Sequence, residues 1–246
     1  GQVSRLNKII DLSLFSQDFF GKLYYSDKKN FNYLYKIYID NVSKILKKVG
    51  ININTAPVLD VRRKNSHKII GNRSFSANPN IVSKLGNLCI ELYKKNKIGT
   101  VIKHIPGHGL SKCDSHFNLP IVENSKKELI NKDFKPFKIC SSFFAMTAHV
   151  IYKKIDSKFV ATQSRKILKE IIRKRIKFNG LIISDDISMK ALKNSISINT
   201  KKAFIAGCNL VLHCNGKLSE MKEVARNSPT VSKFIIKKTS QFNDII

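Results

Sequence analysis

The sequence predicts an α/β protein with a parallel sheet, and two features of the chain carry that prediction. Short apolar runs alternate with amphipathic helical patterns, and strands that alternate with helices pair in parallel through right-handed crossovers. Each of five apolar runs also ends in Asp, His or Asn. Because chemistry at the carboxyl ends of parallel strands is typical of barrels, we expect a TIM-type (β/α)8 barrel. A doubly wound sheet is the alternative, although no glycine-rich fingerprint follows a first strand.

The first half of the chain supplies two helices and two strands. After an irregular start that extends to residue 20, helically spaced apolar residues from about 27 to 49, closed by Gly50, predict the first helix. Residues 51–60 are then expected to form a strand that opens into a polar loop. Asn78-Pro79 is a good helix start, and that helix leads into a buried strand at residues 99–102.

The same alternation continues in the second half. A capping box at residues 125–128 begins a helix that extends to about Cys140, and an apolar strand follows at 143–146. An amphipathic helix at 164–176 precedes a buried strand at 180–184. A short helix at 200–206 precedes the last strand at 209–212, and no regular element is predicted from Glu220 onward.

Five strands do not close a barrel of eight. We therefore expect residues 1–246 to form a single barrel domain that is incomplete at its amino terminus, with the first strands absent from this chain.

Composition indicates a globular protein of the cytoplasm. Of the 246 residues, 42% are hydrophobic and 25% are charged, which suffices for a substantial core. The sequence has neither an apolar run long enough to span a bilayer nor an apolar signal segment at its start, so no membrane partner is expected. Five cysteines without paired spacing argue against a disulfide framework or a structural zinc site.

The formal net charge of +28 raises the alternative of a protein that binds nucleic acid or an anionic surface. The charge comes mostly from lysines scattered through helices and turns, without an arginine-rich stripe or interleaved aromatic residues. We therefore favour a solvated lysine-rich surface, with no nucleic acid as partner.

Side chains that could take part in catalysis or binding are concentrated between residues 103 and 116. Pro106, Gly107 and Gly109 exclude a helix there, so the segment is a shaped loop after a strand. The strand ends should bring one group of side chains to a common face: Asp185, His149, Lys103, His104 and the Asp114/His116 pair.

Two mechanisms fit this set, and the residues alone favour neither. In the first, His104, His108, His116 and Asp114 ligate a divalent metal that activates water. In the second, Asp185 is a nucleophile, and His116, oriented by Asp114, is the general acid/base.

Several segments resemble bacterial β-N-acetylglucosaminidases (β-hexosaminidases) of glycoside hydrolase family 3. They occur in the family's order and extend from near residue 1 to about residue 215. The matching segments are residues 56–61 (APVLDV), 71–75 (GNRSF), 103–109 (KHIPGHG), 114–116 (DSH), 148–150 (AHV) and 184–189 (SDDISM). The family's fold is a TIM-type barrel, in agreement with the alternation of strands and helices.

The resemblance implies a role for each matching residue. Asp185 would be the nucleophile that forms a glycosyl-enzyme, His116 the acid/base and Asp114 its partner. The residues expected at the substrate are Arg5, Arg73, Lys103, His104 and His149. Arg5 follows Gly1 and Gln2, which resemble the tail of the family's D-Q-E-G-G segment, with Gln2 where an Arg is usual.

The resemblance also implies an activity. The expected enzyme removes terminal β-linked N-acetylglucosamine from muropeptides or amino-sugar glycosides during peptidoglycan recycling in the cytoplasm, and it uses no cofactor and no metal. The imidazole of His116 suits proton transfer near neutral pH, since an unperturbed histidine has a pKa of about 6.5.

Overall fold

Parallel strands form the central sheet, which confirms the predicted α/β class. The computed structural model describes residues 14–64, 70–111 and 119–244. The strands of the sheet are β1 (Ile53–Asn54), β2 (Gly99–Ile105), β4 (Phe144–Thr147), β6 (Leu181–Asp186) and β7 (Leu210–Leu212). They lie in the order β1-β2-β4-β6-β7, and every neighbouring pair is parallel. A separate parallel pair, β3 (Ile121–Val122) with β5 (Ile151–Tyr152), was not predicted.

Helices connect the strands, and most of the α-helices begin at a side chain that accepts a hydrogen bond from a backbone amide. The α-helices are α1 (Gln17–Ser26), α2 (Lys28–Lys48), α3 (Pro79–Lys95), α4 (Lys126–Asn131), α5 (Lys135–Ile139), α6 (Ile196–Ala206), α7 (Leu218–Arg226) and α8 (Lys233–Asn243). A π-helical segment spans Ile167–Arg175, and short 3-10 turns span Gly71–Arg73 and Ala161–Gln163. None of the helices in the described ranges has the length and apolarity needed to cross a bilayer.

The two faces of the sheet pack against different partners. Successive side chains of a strand point to opposite faces, so Ile102 and Ile182 join the main core beneath the helices, whereas Val101 and Phe144 lie on the other face. Phe242 of α8 covers that second face, and its ring centroid lies 5.0 Å from that of Phe144. The sheet is thus buried on both sides, as expected of a parallel sheet.

Several predicted boundaries were wrong for tertiary reasons. Residues 11–20 were expected to be irregular, but Ser16 caps α1 and accepts from the Phe19 amide. The predicted helix from 125 to about 140 divides into α4 and α5, because the chain turns inward at the buried residues Asp133 and Phe134.

The strand expected at residues 51–60 is much shorter. Only Ile53–Asn54 pairs with β2, and the chain returns to it in an isolated bridge between Val58 and Lys103. Pro57 lacks an amide hydrogen, so the hydrogen-bond ladder with β2 cannot continue through this residue.

Because all strands of the sheet are parallel, their carboxyl ends lie along one edge. Lys103 and His104 lie near the end of β2, His149 follows β4, and Asp185 is the penultimate residue of β6. The β6 and β7 ladder shifts register between Ile183 and Asp186, and such irregularities often re-aim side chains near active sites.

Candidate active site

Asp60 is the centre of a buried hydrogen-bond cluster at this edge. Its carboxylate is fully buried and accepts from the His104 amide at 3.2 Å (Oδ1), the His104 ring Nδ1 at 2.7 Å (Oδ2) and the His108 amide at 2.6 Å (Oδ1). Burial raises the pKa of Asp60, while His108, the two amides and Arg73 oppose that rise. Three donors therefore fix the backbone at both ends of the 104–108 segment.

His104 is held as a neutral imidazole. Burial lowers its pKa well below 6.5, and the neighbouring Arg73 and Lys103 act in the same direction. A neutral ring that donates from Nδ1 to Asp60 leaves Nε2 as an acceptor. The ring of His108 lies 5.5 Å from that of His104 between centroids, and burial lowers its pKa to about 4.

Asp185 is an ionised carboxylate that retains partial solvent access. Burial raises the pKa of its carboxyl, but His104, His149, the Asp186 amide and Lys103 together outweigh burial, so the pKa lies below its usual value. The Asp186 amide donates to Asp185 Oδ1 at 2.8 Å. A carboxylate in this state is suited to attack an electrophilic carbon at neutral pH.

Lys103 and Arg73 supply the positive charge of the site. Lys103 is only 7% exposed; burial, with a further contribution from Arg73, lowers the pKa of its ammonium to about 8. Its Nζ donates to Thr55 Oγ1 at 3.3 Å. Two cations therefore lie among two carboxylates, Asp60 and Asp185, and this near balance of charge suits a polar, uncharged ligand.

His149 lies behind the site rather than on its surface. Its side chain is fully buried, Nδ1 contacts Thr162 Oγ1 at 2.7 Å, and Nε2 contacts the Asp186 carbonyl oxygen at 3.0 Å. Asp186 itself caps the following turn, since its carboxylate accepts from the amide and hydroxyl of Ser188. Of the Asp pair, only Asp185 is available to a substrate.

The described residues bring together Asp185, Lys103, His104, Arg73 and His149. The predicted acid/base His116, its partner Asp114 and the predicted ligand Arg5 lie outside the described residues, so their roles remain predictions. Within the described ranges no three His, Cys, Asp or Glu residues are grouped so as to hold a metal ion. The metal-dependent alternative, which needs His116 and Asp114, remains a hypothesis.

Comparison with known proteins identifies the family of the chain. A family model described as the glycosyl hydrolase family 3 N terminal domain matches residues 24–239. The chain belongs to glycoside hydrolase family 3. This family assignment confirms the resemblance found in the sequence motifs.

Named family 3 relatives resemble the chain over part of their own length. The beta-hexosaminidase of Actinobacillus pleuropneumoniae serotype 3 is 37% identical over 173 residues, which cover 68% of this chain and 49% of that protein. The beta-hexosaminidase of Neisseria meningitidis serogroup B is 37% identical over 197 residues, covering 76% of this chain and 54% of that protein. The chain thus spans about half the length of these curated relatives.

Solved structures agree with the fold. Native NagZ from Neisseria gonorrhoeae superposes with a TM-score of 0.78 at 31% identity, covering 92% of this chain and 66% of that one. The beta-N-acetylglucosaminidase from Thermotoga maritima gives a TM-score of 0.66 at 29% identity, with coverages of 85% and 47%. The five-stranded parallel sheet corresponds to part of a TIM-type barrel.

Asp60 is the residue of the site that the sequence motifs did not single out. It lies in the matching segment 56–61 and was expected only as the polar end of a strand. Its partners are 44 and 48 residues away, so no local pattern could reveal them. The signal available was its place at the carboxyl end of the strand predicted at residues 51–60.

Proposed function

We propose that the protein is a retaining glycoside hydrolase that removes terminal β-linked N-acetylglucosamine. Its family membership supports the reaction type, and the names of its relatives support the sugar. A Neisseria gonorrhoeae NagZ structure contains N-trifluoroacetyl-D-glucosamine, an amino sugar of the same kind. We further propose muropeptides as substrates, with the enzyme acting in peptidoglycan recycling in the cytoplasm.

The observation that carries the proposal is the place of the Asp185 carboxylate, which lies partly exposed at the carboxyl end of β6, accepts from the Asp186 amide at 2.8 Å and has a pKa below its usual value. A retaining glycosidase needs an ionised carboxylate to attack the anomeric carbon and form a glycosyl-enzyme, which water then hydrolyses. Asp185 is the one member of the Asp pair whose carboxylate is not used in capping. It therefore has the state and the access that a nucleophile requires.

The surrounding groups have complementary roles in holding the sugar. Neutral His104 would accept a hydrogen bond from a sugar hydroxyl at Nε2, because Asp60 occupies Nδ1. Lys103 and Arg73 would donate to hydroxyl oxygens. His116, with Asp114, would protonate the leaving oxygen and then activate water, since an imidazole can transfer protons near neutral pH.

Replacing each member of the Asp pair tests the assignment. In the complete protein, Asp185→Asn should lower kcat on 4-nitrophenyl N-acetyl-β-glucosaminide by about 10³-fold or more, as expected for loss of a nucleophile. Asp186→Asn should mainly lower thermal stability, because it weakens the turn at Ser188. Mass spectrometry after incubation with a fluorinated glycoside should find the adduct on Asp185.

Other outcomes would contradict the proposal. A complete wild-type protein without activity on this substrate would rule out the proposed sugar, and an adduct on Asp186 would rule out the proposed nucleophile. Activity that disappears on treatment with a chelator and returns with a divalent metal would support the metal-dependent alternative instead.

A further inference from the structure

Both ring nitrogens of the buried His149 are occupied by the protein. The side chain has no solvent-accessible surface, and its two hydrogen bonds run to Thr162 and to the Asp186 carbonyl oxygen. A substrate-binding imidazole must offer a nitrogen to the ligand, so this geometry does not suit a sugar contact.

The partners fix the tautomer of His149. A carbonyl oxygen only accepts hydrogen bonds, so Nε2 must carry a hydrogen toward Asp186. In the neutral ring, Nδ1 then accepts from the Thr162 hydroxyl, which in turn accepts from the Thr147 hydroxyl at 2.8 Å. The ring therefore has one orientation, set by two buried threonines.

A further contact holds Thr162 in place. Its hydroxyl also lies 3.2 Å from the Ala148 carbonyl oxygen, and the residue is fully buried. The hydroxyl that orients His149 is thus itself fixed by partners at residues 147 and 148.

His149 stabilises the strand end that carries Asp185. The β4 and β6 ladder includes the pair Met146 and Ile183; three residues further, the same register places position 149 opposite position 186. The imidazole thus bonds the strand end where main-chain pairing has stopped. Asp186, held there by its carbonyl, donates its own amide to Asp185 Oδ1.

We propose that His149 is a positioning residue: through Asp186 it holds the Asp185 carboxylate in the orientation for attack, and Thr162 holds His149. The inference rests on the proposed role of Asp185 as nucleophile. It replaces the expected sugar contact of His149 with an indirect role, and it adds Thr162 to the residues on which the reaction depends.

Four variants of the complete protein test the contacts that connect Thr162, His149 and Asp186 to Asp185. His149→Leu removes both hydrogen bonds and should lower kcat by about 10²-fold, the loss expected when a reacting group is misplaced by about 1 Å, with little change in KM. His149→Gln, whose amide can donate to Asp186, should recover part of that loss. Thr162→Val should resemble His149→Leu more weakly, and Thr162→Ser should resemble the wild type.

A matched control is available at the next strand end. His213 follows β7, and its Nε2 pairs with Glu220 at 2.7 Å, away from the Asp185 contacts. His213→Gln should leave kcat close to the wild-type value. A raised KM with unchanged kcat in His149→Leu would indicate a sugar contact and would overturn the proposal.

A measurement that does not depend on turnover separates this inference from the proposed function. Carbon-13 NMR of the Asp185 carboxyl should give a higher pKa in His149→Leu and Thr162→Val than in the wild type, and an unchanged pKa in His213→Gln. Unchanged values in all variants would overturn the inference even if the enzyme is active. Raised values in a protein without glycosidase activity would support the inference and contradict the proposed function.

Discussion

A buried carboxylate, that of Asp133, packs against Gly107 in the loop after β2. Asp133, between α4 and α5, is 1% exposed, and neither of its carboxylate oxygens has a hydrogen-bond partner among the described residues. Arg63 is a neighbouring cation, and its Nε lies 3.9 Å from Oδ1. Burial raises the pKa of Asp133 to about 7; Arg63 opposes the rise, and Glu128 and Asp60 reinforce it.

This raised pKa predicts a pH-dependent loss of stability. An unfolded Asp ionises near pH 4, whereas folded Asp133 keeps its proton to about pH 7. Between these pH values the folded state binds more protons than the unfolded state. The free energy of unfolding is therefore not reduced by Asp133 below about pH 4, and it falls progressively up to about pH 7. Urea denaturation should show that Asp133→Asn raises the free energy of unfolding at pH 8 more than at pH 5.

The exposed carboxylate of Asp244 offers a control for the loss of one negative charge. Asp244→Asn should change stability by a similar small amount at both pH values. If Asp133→Asn destabilised the protein equally at pH 5 and pH 8, the carboxylate would not be the source of a pH dependence.

For single residues, the sequence predicted position at the site better than it predicted the role of each side chain there. Lys103, His104 and Asp185 were expected at strand ends and are found together. The two His149 nitrogens are engaged by the Asp186 carbonyl oxygen and by Thr162, whose hydroxyl comes from a 3-10 turn without a periodic signal. Such contacts depend on tertiary packing, which single-residue patterns do not encode.

Among the elements, the loop after β2 has little tolerance for added atoms. A Cβ on Gly109 would lie 1.9 Å from the Val61 carbonyl oxygen. That atom belongs to the backbone of the segment that carries Asp60, so it cannot move without disturbing the hydrogen bonds of the site.

We predict that Gly109→Ala costs at least about 2 kcal/mol of stability, because overpacking against backbone forces the chain to shift. Glycosidase activity should fall with it, since Asp60 and His104 would move. Gly50→Ala is the comparison: Gly50 has φ of +76° with open space around its Cβ, so only backbone strain of about 1 kcal/mol is expected. Equal destabilisation of the two variants in thermal melts would contradict the packing argument.

The helices that were predicted well are those with local signals. The first predicted helix, from about 27 to 49, is α2 (Lys28–Lys48) with the expected Gly50 after it, and Asn78 caps α3 as expected. α7 and α8 were not predicted, and they bury little: α7 has no buried residue and α8 has only Phe242. The helical period is nevertheless present in the sequence, as at Leu218, Met221 and Val224 of α7.

For the whole molecule, the net charge of +28 is a source of self-repulsion in the folded state. Repulsion between surface lysines is screened over about 10 Å at 0.1 M salt, and a high net charge disfavours the compact state. We therefore predict that Tm rises as sodium chloride increases from about 10 to 200 mM. A Tm that stays constant or falls in that range would indicate that the lysines are paired rather than repelling.

The contact between Phe242 and the sheet has a consequence for synthesis on the ribosome. The chain emerges from its amino terminus, so β2 and β4 leave the exit tunnel about 100 to 140 residues before Phe242, which packs on Gly99 and Phe144. During that interval the apolar face that α8 later covers lacks the ring of Phe242. Nascent chains that end before residue 233 should therefore recruit chaperones that recognise exposed apolar strands, and release should follow once α8 has emerged.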